Sequence, residues 1–119
     1  MVQIRPIIQS DLVEQYGFGF PYSVRGFAAE HDGEVVGVAG IMYSKPPQCF
    51  SKLDDIVKNF PRSVVVAMRV IRELLDRQTV PVYATPDKDE PTANKFLKHV
   101  GFRETEMTGV WKWVQKQPS

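Results

Sequence analysis

The segment 89–102, DEPTANKFLKHVGF, reads as an amphipathic helix that closes on a glycine and runs into a strand. Asp89 or Glu90 can cap the helix. Pro91 suits its first turn, where a missing N–H costs nothing, and Phe96, Leu97 and Val100 share its buried face. The Gly101-Phe102 corner then turns the chain into a closing hairpin, FRETEMTGVWKWVQ, with two strands flanking Thr108-Gly109.

Working back from this corner, TVPVYA at 79–84 is a strand in which Pro81 cannot donate to a ladder, so pairing must fail on one side there. Before it, Val64, Met68, Ile71 and Leu75 recur at spacings of three and four from about Pro61, opposite Arg62, Arg69, Arg72, Glu73 and Asp76. That is a helix with one apolar stripe. CFSKL at 49–53 is a fourth strand, and DDIVKNFPRS after it contains at most a short helical turn. The clearest local signal lies further back, in RGFAAEHDGEVVGVAGIMY. Asp32-Gly33 between two apolar runs favours a tight hairpin with strands at about 24–31 and 34–43. A first strand spans 2–8, and SDLVEQ follows with Ser10 or Asp11 as N-cap of one or two helical turns. The expected fold is therefore α/β (α+β), a mixed sheet of about six or seven strands flanked by about three helices. The fourth strand, helix and fifth strand form a crossover that favours a parallel pair.

The totals narrow the function. A chain of 119 residues is expected to be one domain. With Lys+Arg 15 against Asp+Glu 14, no net field steers nucleic acid or an anionic membrane, and neither partner is expected. Cys49 is the single cysteine, which excludes an internal disulfide and suits a reducing compartment; with two histidines, no metal-ligand spacing is present. No apolar run approaches the ~20 residues of a membrane span, so a cytoplasmic location is expected.

The order of elements, with IRPIIQSDL opening and EHDGEVVGVAGI as hairpin, resembles the GNAT superfamily of acetyl-CoA-dependent N-acyltransferases. So does ANKFLKHVGF, and the resemblance covers nearly the whole chain. CFSKLDDIVKNFPRSVVVAMRVIRELLDRQ followed by ANKFLKHVGF is closest in look to the GNAT-like proteins of tailed bacteriophages, including some internal virion proteins. The resemblance implies acetyl transfer from acetyl-CoA to an amine, with the pantetheine arm wedged between the fourth and fifth strands. It places Leu53, Lys58, Arg62, Ser63, Val64 and Asn94 against the coenzyme, and Asp54 or Asp55 as the base.

The sequence also departs from the pattern. The superfamily rests the coenzyme's pyrophosphate on a glycine-rich loop at the start of the central helix, where backbone N–H groups approach closely. Here that segment is KNFPRSVVV, with no glycine, a proline, and three β-branched valines. Lys58 and Arg62 could attract phosphate and Ser63 could donate to it, but Lys58 and Arg62 read more readily as solvated charges at a helix start. Counting back from Gly101, Leu97 stands where a tyrosine often protonates the thiolate, and Glu90 where an asparagine bonds the coenzyme. Tyr43 and Tyr83 end their strands and are read as either wedge or sheet-core residues. Cys49 reads as a small buried hydrophobe, His31 as an exposed turn residue, and His99 as a cation favoured by its helix end. Between the first two strands, YGFGFPY at 16–22 replaces the usual acceptor helices. It reads either as Phe18 and Phe20 tucked over the sheet or as a contact patch. The alternative function is a non-catalytic virion or host-interaction module on the same scaffold.

Overall fold

The structure is a computed structural model that describes residues 2–86 and 91–114; the side chains of Lys58, Pro91, Thr92 and Ala93 lie outside the described set. In chain order the elements are β1 (Gln3–Pro6), α1 (Gln9–Tyr16), β2 (Val24–His31), β3 (Glu34–Met42) and β4 (Gln48–Leu53). A 3₁₀ turn (Asp55–Asn59) follows, then α2 (Pro61–Asp76), β5 (Val82–Ala84), α3 (Pro91–Val100), β6 (Arg103–Glu104) and β7 (Trp111–Trp113). The strands form one seven-stranded sheet in the order β1-β2-β3-β4-β5-β7-β6. The β4–β5 pair is parallel and every other pair is antiparallel, so the expected mixed sheet with three helices is what forms.

The hairpin forms for the local reason read from the sequence. Asp32 and Gly33 both take positive φ, 52° and 80°, the conformation that a two-residue turn matching strand twist requires. A register shift at Ala29/Glu30 leaves Val36 as an extra residue in β3. No turn residue signals that bulge.

The α1 start differs from expectation. Ile8, not Ser10 or Asp11, occupies the N-cap position. Asp11 sits in the first turn and accepts from the Ile8 N–H at 2.8 Å. It also accepts two bonds from the Arg5 guanidinium, at 2.7 and 2.9 Å, while Arg5 Nε donates to Glu30 at 2.6 Å. Asp11 is only 2% exposed, and the Arg5 hydrogen bonds hold its carboxyl below the usual range. One carboxylate thus closes a helix end and fastens β1 to α1.

Opposite faces of the sheet carry different helices. Phe27, Ala39, Ile41 and Cys49 join Ala67, Ile71 and Leu75 of α2 and Leu97 and Val100 of α3 in the main core. Leu12 of α1 packs with Ala28 and Val38 on the other face. The α3 corner is a fitted joint. Gly101 has φ +120°, and a Cβ there would lie 2.7 Å from the Trp113 ring, so glycine is needed on both counts. The Gly101 and Phe102 N–H groups both close on the Leu97 carbonyl, at 3.1 and 2.9 Å. Asp89 and Glu90, the expected caps of α3, lie outside the described residues. Among the described residues no helix is long and apolar enough to cross a membrane.

Candidate functional site

The site is a defect in the sheet. β4 and β5 pair only through Gln48↔Tyr83 and Cys49↔Ala84, after which β4 continues to Leu53 beside β3 but, among the described residues, with no strand on its β5 side. The strands part at the Ala84 end. Pro81 lies before β5, which starts at Val82, so the expected unpaired position at Pro81 is not where the sheet opens.

Alternation along β4 fixes what its backbone shows to the opening. Tyr83 N–H donates to the Pro47 carbonyl at 2.9 Å, across to β5. Asp54 N–H donates to the Val36 carbonyl at 2.8 Å, across to β3. Backbone polar groups on a strand alternate sides, so Phe50, Lys52 and Asp54 turn theirs to β3. Ser51 and Leu53 turn their N–H and C=O groups into the gap. A molecule with spaced amides can bond there as an added strand would.

The gap opens into a cavity of about 530 Å³, within the range of ligand pockets. Its walls come from both faces of the sheet. Val64 and Met68 of α2 and Phe96, Leu97 and His99 of α3 line one side. Tyr16, Phe20, Phe50 and Lys52 line it on the α1 side. The parting of two strands therefore makes a passage through the sheet. Val64 and Met68, which periodicity assigned to a plain core stripe, are half-buried because the cavity lies beneath them, whereas Ala67, Ile71 and Leu75 are fully covered.

The candidates from the sequence separate into two groups. Leu53, Asp54, Asp55 and Val64 line the cavity. Arg62, Ser63 and Asn94 are not among its lining residues, and the Lys58 side chain is outside the described set. Asp54 and Asp55 follow β4, so they stand at the cavity mouth; a strand rises ~3.3 Å per residue, which puts Asp54 roughly 16 Å from Cys49. Tyr43 packs on the main core and Tyr83 lies under Lys112 Nζ, 5.6 Å from the ring centroid; neither lines the cavity.

Cys49 does line the cavity, but burial pushes its thiol up to about 12, so it stays protonated and is no nucleophile near neutral pH. His31 is not the exposed turn residue expected. It is half-buried with its ring 5.0 Å from that of Phe60, because the hairpin end meets the approach to α2.

Four lining residues carried no motif: Tyr16, Phe20, Phe50 and Lys52. Phe20 packs edge-on against Phe50 at 5.0 Å and tilts on Tyr16 at 5.2 Å. Lys52 Nζ reaches the Gln15 carbonyl at 2.5 Å and lies 5.2 Å from the Tyr16 ring centroid. Of the two phenylalanines expected over the sheet, Phe20 tucks in and Phe18 remains 60% exposed. The aromatic density of 16–22 was the available signal.

The start of α2 offers little to an anion. Val57 N–H donates to the Asp54 carbonyl, Phe60 N–H to Val57, and both Ser63 and Val64 N–H to Phe60, at 2.9 to 3.2 Å. Pro61 has no N–H. The segment has wound these donors into its own 3₁₀ and first α turns, and of the first turn of α2 only the Arg62 N–H is not among them.

By sequence the chain matches no family model and no curated protein. By structure it resembles acetyltransferases. An acetyltransferase of the GNAT family from Staphylococcus aureus Mu50 superposes with a TM-score of 0.66 at 13% identity, over 94% of this chain and 98% of that one. The ribosomal-protein-S18-alanine N-acetyltransferase from Escherichia coli gives 0.61 at 17% identity, over 94% and 89%. YhhK from E. coli, described as an N-acetyl transferase and solved bound to coenzyme A, gives 0.58 at 14% identity, over 94% and 97%. At these identities the likeness establishes the fold, which is that of the GNAT acetyltransferases.

Proposed function

We propose that this chain lays the pantetheine arm of acetyl-CoA along β4 and passes the acetyl group to an amine. The observation that carries this is the pair of cleft-facing backbone groups at Ser51 and Leu53, set in a largely apolar cavity between strands that part after Cys49 and Ala84. The arm's amides would pair with that edge while its hydrocarbon portions cover Val64, Met68 and Leu97. The coenzyme-bound neighbour of the same fold supports the choice of ligand.

The amine approaches from the α1 side, past Tyr16, Phe20 and Phe50. Its nitrogen lone pair forms the new C–N bond, the C–S bond breaks, and sulfur leaves as thiolate. Water in the cavity takes the proton the ammonium must lose before attack, and the second proton, shed as the nitrogen becomes an amide, passes to the thiolate.

A second reading is a non-catalytic virion or host-interaction module on the same scaffold, and Leu97 favours it. That side chain lines the cavity where a proton donor stands in the superfamily pattern, and it is 5% exposed hydrocarbon.

One titration tests both. Acetyl-CoA and desulfo-CoA are added while the melting temperature is followed; ligand at 100-fold over its Kd adds roughly 2.7 kcal/mol. No shift at millimolar ligand refutes binding. A shift together with release of free thiol from acetyl-CoA plus an amine panel supports transfer, and a shift without thiol release selects the scaffold reading.

A further inference from the structure

The cavity and its mouth are built for different chemistry. Inside, the β4 edge offers two residues' worth of backbone donors and acceptors, and the walls are largely hydrocarbon and aromatic, with Lys52 and His99 among them. At the mouth, where the far end of an arm lying along β4 would emerge, most of the described backbone donors are taken by the chain itself. Val57, Phe60, Ser63 and Val64 N–H groups are each bonded to a carbonyl of the same segment and Pro61 has none to give, so these cover every donor of the first turn of α2 but the Arg62 N–H. A phosphate binds a helix start through unpaired N–H groups on the first turn. Breaking the internal bonds to free them would leave the Asp54, Val57 and Phe60 carbonyls unpaired. The Asp54 carboxylate is exposed at this mouth and repels an anion at short range. Arg62 is exposed on the first turn of α2 and does not line the cavity.

Resting on the reading above, we infer that this site recognises the acyl-pantetheine arm itself and is indifferent to the nucleotide attached to it. Its thioester donor is any pantetheine thioester whose arm can enter the β4–β5 gap. The nucleotide of coenzyme A remains in solvent and adds little to affinity.

Calorimetric titration of the whole chain with coenzyme A, 4′-phosphopantetheine and pantetheine tests this. The expected result is dissociation constants for the three within about threefold of one another, with 3′,5′-ADP failing to compete. Asp54→Asn should tighten coenzyme A binding while leaving pantetheine unchanged, because only the former carries phosphates past the mouth. Coenzyme A binding roughly 30-fold tighter than pantetheine, or competition by 3′,5′-ADP, overturns this inference and leaves the acetyl-CoA reading standing. Failure of all three pantetheine compounds to bind overturns both.

Discussion

Substituting proline at successive positions of β4 reads out the direction of its backbone. Ser51 turns its N–H into the gap, so Ser51→Pro removes a donor that no β3 carbonyl uses, as on any edge strand. Its side chain is exposed, and little packing is lost. Lys52 lies opposite Val38, which is fully buried, and turns its N–H to β3. Lys52→Pro therefore deletes a ladder bond and strands a carbonyl under α1, a loss of about 3 kcal/mol when the lost bond and the unpaired acceptor are taken together. Lys52→Ala subtracts the part due to its contacts with Gln15 and Tyr16. At about 4 °C per kcal/mol, the backbone effect of Lys52→Pro is a fall of roughly 12 °C in Tm, against a few degrees for Ser51→Pro. Ligand binding should show the reverse. Ser51→Pro loses one amide contact, about 0.5–1.5 kcal/mol or roughly threefold to tenfold in Kd for pantetheine. Differential scanning calorimetry and the pantetheine titration supply both numbers. Equal destabilisation by the two prolines would refute the assignment of β4's open edge.

Asp11→Asn should cost about 2 kcal/mol at neutral pH by urea unfolding, below the 3–5 typical of a broken buried pair because Arg5 is one-third exposed. The Asp11 carboxyl is depressed in the folded state, so its contribution is present above its unfolded value and is lost as pH falls through the folded one; the gap between wild type and Asp11→Asn should narrow in acid and stay flat above about pH 5. Gly101→Ala combines a φ of +120° with a Cβ 2.7 Å from Trp113, and should destabilise by roughly 2–4 kcal/mol in the same assay, against a near-neutral Gly33→Asn in the hairpin turn. The Cys49 thiol, pushed up to about 12 by burial, should react with Ellman's reagent at pH 8 only as fast as the chain opens, and at once in denaturing urea. Fast reaction of the folded chain would show the cavity wall to be wetter than its burial implies.

Signals carried by neighbouring residues were legible before any coordinates. Asp32-Gly33 specified its hairpin because only such a pair takes two positive φ values cheaply. Pro61 and Pro91 open α2 and α3, and Gly101 closes the second of these, as their backbone constraints require. Leu53, Asp54 and Asp55 line the cavity because they stand at or just after the end of β4, and Val64 lines it from the first turns of α2. The rest depends on distances that no local pattern encodes. The parting of β4 from β5 after Cys49 and Ala84, and not at Pro81, is a matter of register between strands more than 30 residues apart. Asp11 read as a helix cap, yet its burial and its pairing with Arg5 were fixed by how β1 lies against α1. Tyr16, Phe20, Phe50 and Lys52 meet only because α1 and β4 are brought over one another on the same face. The sequence by itself thus determined the elements and their corners, where each choice is settled within a turn of chain. Tertiary structure alone decided the gap, since an opening in a sheet exists only once two distant strands have been paired and then allowed to separate.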